Sequence, residues 1–201
     1  MQNEEPFCCA VDVVQRPLPY VRSVNFPGVR EDLLRLAKSD QQARLTPEQP
    51  RSGITEHEWL GEDQDRVRQL DKLLEIVSYP SCANVGYDGA RAVWLIALHG
   101  GIYMDISYRV LAKMLNIFIV DRELAFPPGI PFLIDNVLLA NAGWAARASQ
   151  LFGTVAGLKV YRPNGQVSWK HYATRDVSNL SERRRAYGLS NMATCRHLNG
   201  S

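Results

Sequence analysis

One segment limits the fold more than any other. The run DGARAVWLIALHG, residues 88–100, is apolar on almost every side of a helix. A surface helix needs only one apolar stripe, so a helix that is apolar all round is typical of the middle of a bundle. The pair Gly100-Gly101 supplies a stop for this helix. The segment therefore predicts a central buried helix with other helices around it.

Several further segments carry apolar residues at helical spacing. They cover residues 29–45, 61–79, 105–120 and 131–143, and a short segment in the tail after residue 176 also has helical character. Proline and glycine residues interrupt the pattern between these segments. The predicted fold class is therefore mainly α, a helical bundle.

Three regions depart from the helical pattern. In residues 157–172, alternating residues flank the turn sequence Pro-Asn-Gly at 163–165, which predicts one small β-hairpin near the C-terminus. Residues 1–28 contain four prolines and are expected to form an extended N-terminal arm. Residues 29–201 are expected to form a single helical domain. Residues 46–61, rich in proline and glycine, are expected to form a mobile loop over a cleft.

Composition and charge argue against several classes of protein. With 46% hydrophobic and 22% charged residues, the chain resembles an ordinary globular protein. Its formal net charge is only +2 and its basic residues are dispersed, so no nucleic-acid partner is expected. No apolar run approaches the roughly 18 residues that a membrane span needs. The first residues are acidic, unlike a signal peptide. We expect a cytoplasmic protein without a membrane partner.

The residues that bind metals and cofactors show no recognisable spacing. The four histidines, at positions 57, 99, 171 and 197, form no pair four residues apart and match no zinc motif. The chain also has no G-x-G-x-x-G, no P-loop and no G-x-S-x-G sequence. The sequence therefore predicts neither a metal nor a cofactor, and a small molecule is the expected partner. It leaves the oligomeric state open.

Two polar residues stand out because their neighbours are apolar. His99 ends the central helix, where the following glycines would let a ligand approach the backbone; it is either a hydrogen-bonded core residue or part of a site. Asp135 lies in the run PFLIDNVLL, and a buried carboxylate needs a partner. That partner is an arginine or a helix N-terminus in the structural interpretation. In the functional interpretation it is His99, which Asp135 would orient as a general base.

A third feature is the basic run at residues 183–185. Such a run is most often a solvated helix face, and this interpretation is favoured for two of its three arginines. The alternative is an anchor for a carboxylate or a phosphate, since guanidinium groups bind both with two hydrogen bonds.

Short segments spread over residues 33–192 occur in a characteristic order: SDQQARL, DRVRQLDKLLEIV, NVGYDGARAVWLIALHG, FLIDNVLLANAG, QLFGT and ERRRAYGLSNM. Together they resemble an uncharacterised bacterial family, domain of unknown function 6624. The chain departs from the family pattern at Leu98, Gly100, Asn136 and Val155. The resemblance implies a fold and a set of site positions, but no activity. The matching positions are Asp40, Gln41, Arg44, Asp65, Gly86, His99, Asp135, Gln150, Gly153, Thr154, Arg184 and Gly188.

Two functions of different classes follow from these residues. In the first, the protein is an enzyme that performs acid–base chemistry on a small molecule, in a specialised biosynthetic or hydrolytic step. His99 and Asp135 are then the catalytic residues, and Gln150 lines the same pocket. In the second, the protein is a non-catalytic ligand-binding or immunity-type module. We favour the enzyme because polar residues in apolar helices are costly to keep for structure alone. The expected binding residues are Asp40, Gln41, Arg44, Gln150, Thr154 and Arg184.

Overall fold

The fold is mainly α with a small β-hairpin near the C-terminus, as predicted. The chain divides into two compact units, one with the described residues up to Gly129 and one with those from Ile130 onward. Among the described residues, none of the helices has both the length and the apolar character to cross a bilayer. The computed structural model describes residues 23–45, 56–78, 80–100, 104–121, 125–145, 148–155, 158–161, 167–170 and 172–189.

Four helices form the first unit: α1 (Pro27–Leu45), α2 (Glu56–Ile76), α3 (Cys82–His99) and α4 (Met104–Val120). Helix α3 packs against all three of the others, and α1 also contacts α2. The central buried helix that the sequence predicts is therefore α3. The apolar core of this unit includes Leu33, Leu36, Val67, Leu70, Leu74, Val85, Val93, Ile96, Ala97, Ile106, Val110 and Met114.

Local sequence sets where α3 begins, bends and ends. Ser81 caps its N-terminus, and the Ser81 side chain accepts a hydrogen bond from the backbone N–H of Asn84 at 3.3 Å. Gly86 has a φ of +74°, which breaks the helical geometry near the start. At the other end, the N–H of Gly100 donates to the carbonyl of Ile96 at 2.9 Å. These features place His99 as the last residue of the buried helix.

The second unit combines helices with short strands. Strands β2 (Leu158–Tyr161) and β3 (Val167–Lys170) are antiparallel and confirm the predicted hairpin, whose turn at 163–165 lies outside the described residues. Strands β1 (Ser149–Gln150) and β4 (Ala173–Thr174) form a parallel pair. This pair was not predicted because two-residue strands have no readable periodicity. The elements are α5 (Gly129–Asn141), β1 (Ser149–Gln150), β2 (Leu158–Tyr161), β3 (Val167–Lys170), β4 (Ala173–Thr174), a 3₁₀ turn (Val177–Asn179) and α6 (Leu180–Ala186).

Two boundaries differ from the sequence prediction. Helix α2 begins at Glu56, so the last six residues of the expected loop at 46–61 are helical. A single glycine inside a helix costs only about 1 kcal/mol relative to alanine, so Gly61 does not mark the start of α2. The remainder of that loop, 46–55, lies outside the described residues. So does most of the expected N-terminal arm, residues 1–22, and α1 already begins at Pro27.

Candidate functional site

Polar side chains from α1, α2 and α3 meet in the first unit. Nδ1 of His99 lies 2.5 Å from Oδ2 of Asp40, and the two residues are 59 positions apart in sequence. Because a carboxylate oxygen accepts hydrogen bonds, Nδ1 is the donor. Asp40 is 1% exposed, whereas the side chain of His99 is 21% exposed. The carboxylate is thus buried, and the imidazole retains access to solvent.

The same carboxylate has further polar neighbours. Nε2 of Gln41 donates to Oδ2 of Asp40 at 3.1 Å. On the other side, Nε of Arg66 lies 3.7 Å from Oδ1 of Asp40, and Nη2 of Arg66 donates to Oδ1 of Asp63 at 2.8 Å. We call Asp40, Asp63, Arg66 and His99 the Asp40 cluster. Its members come from three helices, so the packing of the bundle fixes their relative positions.

The sequence prediction of the acid that holds His99 is wrong. The carboxylate at Nδ1 is that of Asp40, which the sequence placed among the binding residues. Asp135 has its partners in its own unit, in the segment 151–154. The sequence favoured Asp135 because its neighbours are apolar, whereas Asp40 lies among polar residues. Contact between segments that are distant in the chain leaves no local signal.

Gly100 also has a role other than the expected one. A Cβ atom at this position would lie 2.4 Å from Cγ2 of Val67, closer than real Cβ contacts. The space beside the backbone of Gly100 is therefore filled by α2. The glycine allows α3 and α2 to approach closely at the end of α3, next to His99, and does not leave room there for a ligand.

Asp135, in α5, is the centre of a second polar cluster. It is fully buried, and both of its oxygens accept hydrogen bonds from the following loop. Oδ1 accepts from the backbone N–H of Leu151 at 2.6 Å and of Phe152 at 3.0 Å. Oδ2 accepts from the N–H and the hydroxyl of Thr154 at 3.0 and 2.8 Å. These donors satisfy a buried charge and fix the loop on the helix.

Gln150 and Arg184 stabilise the same loop. Oε1 of Gln150 accepts from the N–H of Val155 at 3.0 Å, and its Nε2 donates to the carbonyl of Val155 at 3.3 Å. Arg184 is 1% exposed, and its Nη1 donates to the carbonyl of Phe152 at 2.7 Å. We call Asp135, Gln150, Thr154 and Arg184 the Asp135 cluster. These hydrogen bonds join its members to backbone groups or to one another, which is the arrangement of a structural network.

The basic run at 183–185 is therefore only in part a solvated face. Arg184 is buried, and Arg183 is half-buried, with its Nη2 donating to the carbonyls of Leu151 and Arg175 at 3.1 and 2.7 Å. Arg185 is exposed. Arg183 and Arg184 both donate to backbone carbonyls, and Arg183 also pairs with the carboxylate of Asp176 at 2.8 Å.

The predicted site residues thus fall into two groups, one in each unit. Asp40, Gln41 and His99 come together in the first, and the members of the Asp135 cluster in the second. Arg44 lies near the end of α1, and its side chain lies outside the described residues. Sequence analysis missed Asp63 and Arg66. A signal exists for both, because they precede the buried Val67 and Leu70 at helical spacing on α2.

The pKa values of Asp88 and Cys82 differ from those of ordinary aspartate and cysteine side chains. The guanidinium of Arg30 lowers the pKa of the Asp88 carboxyl, and the two form an ion pair between α1 and α3. Burial raises the pKa of the Cys82 thiol to about 11. The Cys82 Sγ donates to the carbonyl of Ala125 at 3.3 Å. A thiol held neutral in this way is a poor nucleophile, so Cys82 is a structural residue.

Within the described ranges, no three histidine, cysteine or acidic side chains are placed to hold a metal ion. No protein-family model, curated protein or solved structure matches the chain.

Proposed function

We propose that the protein is an enzyme that performs acid–base chemistry on a small molecule, with His99 as its proton acceptor and donor. The observation that carries this proposal is the contact between the buried Asp40 and the partly exposed His99. A carboxylate at Nδ1 fixes the orientation of the ring and keeps the proton of the neutral imidazole on that nitrogen. The lone pair then lies on Nε2.

The proposed reaction uses this lone pair. Nε2 removes a proton from a hydroxyl group or a water molecule, and the carboxylate of Asp40 stabilises the imidazolium that forms. The deprotonated oxygen forms a bond to an electrophilic atom of the substrate, the bond between that atom and the departing group breaks, and the proton on Nε2 passes to the departing group. Both a biosynthetic and a hydrolytic step of a small molecule fit this sequence of events.

The roles of the other residues follow from their contacts. Asp40 orients His99 and takes the place that the sequence analysis gave to Asp135. The Asp135 cluster stabilises the second unit. The resemblance to the bacterial family of unknown function supports the choice of site, since Asp40 and His99 are both among its matching positions. A bacterial origin and a cytoplasmic location are part of the same proposal.

A comparison of wild type with His99→Gln tests the proposal. Both proteins are screened against a library of metabolites by thermal shift, because a ligand of the native state raises the unfolding midpoint. Each ligand that shifts wild type is then incubated with both proteins, and products are sought by mass spectrometry. We expect a ligand that both proteins bind and only wild type converts. Arg35→Gln, which makes the same replacement at an exposed basic residue of α1, is the control and should retain conversion.

The alternative function has a different outcome. If the ligands of wild type are never converted, and His99→Gln binds them equally well, the protein is a binding module and His99 is a core residue. An immunity-type module would instead bind no metabolite in the screen. Either result contradicts the proposed enzyme.

A further inference from the structure

The two oxygens of Asp40 face two different basic side chains. Oδ2 is 2.5 Å from Nδ1 of His99, whereas Oδ1 is 3.7 Å from Nε of Arg66, beyond hydrogen-bond range. A guanidinium group is charged at every physiological pH and can bind a carboxylate through two parallel hydrogen bonds. Arg66 is therefore a strong potential competitor for Asp40, yet His99 has the short contact.

The competitor is held by acids of its own helix. Nη2 of Arg66 is 2.8 Å from Oδ1 of Asp63 and 3.5 Å from Oε2 of Glu62, one helical turn away. Asp63 and Arg66 are both more than nine-tenths buried, whereas Glu62 is half-exposed. The strongest contact of the guanidinium is thus with a buried carboxylate other than Asp40.

This arrangement is not explained by stability alone. Removing an ion pair from water costs free energy that its mutual attraction often fails to recover. In addition, Nε of Arg66 is buried and makes no hydrogen bond with any described residue, although Asp40 lies close by. The two side chains form an ion pair at 3.7 Å, but the distance is too long for the hydrogen bond that would satisfy this N–H group.

We propose that Asp63 is a positioning residue for His99. It holds Arg66 away from Asp40, so that Asp40 keeps its hydrogen bond to Nδ1 and fixes the tautomer with the lone pair on Nε2. This inference rests on the proposed function, in which Nε2 is the reacting atom. Asp63 acts through Arg66 and Asp40 and does not itself contact the imidazole.

The test measures the tautomers of the neutral His99 ring by ¹⁵N NMR on the full chain, without substrate. In wild type the Nδ1–H tautomer should predominate. In Asp63→Asn, Arg66 is free to bind Asp40, so the Nδ1–H fraction should fall towards the distribution of free histidine. Asp63→Glu retains a carboxylate and should preserve most of the wild-type fraction. Asp32→Asn makes the same charge change on a half-exposed residue of α1 that pairs with Arg35, and should change nothing.

A double variant separates the proposed route from other effects of the lost charge. Arg66→Met removes the competitor, so Asp63→Asn in that background should leave the wild-type tautomers in place. The proposal is overturned if the single variant keeps the wild-type fraction, or if the double variant is as low as the single one. If Asp63→Asn does not fold, Arg66→Met alone decides: an unchanged Nδ1–H fraction supports competition, and a decreased one overturns it.

This readout is independent of turnover. A change in tautomers without any converted ligand would leave the positioning role standing and contradict the proposed function. If conversion depends on His99 but the tautomer fractions are the same in Asp63→Asn as in wild type, the proposed function is supported and the positioning role of Asp63 is contradicted.

Discussion

The two polar clusters both contain a buried aspartate in or beside an apolar environment, but the aspartates have different partners. Asp135 binds the backbone N–H groups and the hydroxyl of one loop. Asp40 binds an imidazole, and a guanidinium lies nearby. Backbone donors cannot change protonation or turn away, whereas side chains can. A buried aspartate therefore needs partners in either case. Backbone partners indicate a role in the fold, whereas a titratable side-chain partner indicates a role in a reaction.

The largest expected effect is the loss of the backbone contacts in the second unit. In Asp135→Asn, an NH₂ group replaces an oxygen and faces N–H donors of the loop, which then have no acceptor. Buried unsatisfied donors cost about 1 to 3 kcal/mol each, so we expect the free energy of unfolding to fall on the order of 3 kcal/mol. Urea denaturation measures this value. Asp65→Asn is the control for an exposed acid, and a loss for Asp135→Asn no greater than for this control would show that other contacts hold the loop.

The buried thiol of Cys82 also has a backbone partner, the carbonyl of Ala125. Its pKa allows the contrast between backbone partners and side-chain partners to be tested by changing the pH. The pKa of Cys82 is about 11 in the folded protein against 9.0 for an ordinary thiol. The folded protein thus keeps a proton that the unfolded chain loses. This contribution to stability is fully present below about pH 9 and is lost as the pH rises through about 11, by about 3 kcal/mol in total.

Wild type and Cys82→Ser should be unfolded with urea at several values between pH 8 and 11. The difference between their free energies isolates Cys82, because the other titrating groups are common to both. If this difference stays constant between pH 8 and 11, the Cys82 thiol is accessible to solvent in the folded protein. A backbone partner would then not be enough to fix the protonation of a buried group.

The cost of the same substitution should be smaller in the first unit. In Asp40→Asn, the amide oxygen can still accept from Nδ1 of His99, and Arg66 retains Asp63. We expect a loss of about 1 kcal/mol in the free energy of unfolding, less than for Asp135→Asn. Urea titrations of both variants under the same conditions measure the two losses in the free energy of unfolding and allow them to be compared. If Asp40→Asn is the more destabilising, Asp40 is mainly a structural residue, and its catalytic importance is in doubt.

The smallest effect concerns the ion pair of Arg30 with Asp88, which is side-chain-held and more than one third exposed on both sides. Arg30 lowers the pKa of Asp88 in the folded state. Its stabilisation is therefore present above the ordinary aspartate pKa of about 4 and is lost as the pH falls through the lowered value, and solvent screening should keep it below about 1 kcal/mol. Comparing wild type with Asp88→Asn at neutral and acidic pH measures it; a difference that grows on acidification contradicts the assigned sign.

The helices were predictable from sequence because each depends on a local pattern. The apolar run before His99 predicted α3, and the Pro-Asn-Gly turn predicted the hairpin. The partner of His99 was not predictable, because Asp40 lies 59 residues away. Arg66 was missed for another reason: it lies in the charged beginning of α2, where acids and arginines are usual on a solvated face. Its spacing to Leu70 was the better guide.

Because Gly100 and Val67 are in close contact, substitutions at these two positions should be correlated during evolution. The gap between α3 and α2 admits the side chain of Val67 only because position 100 has no Cβ atom. A relative with alanine at the position of Gly100 should carry glycine or alanine at that of Val67, and one that restores valine should restore glycine. Relatives in which both positions change together should keep the packing of α3 against α2, and therefore the position of His99.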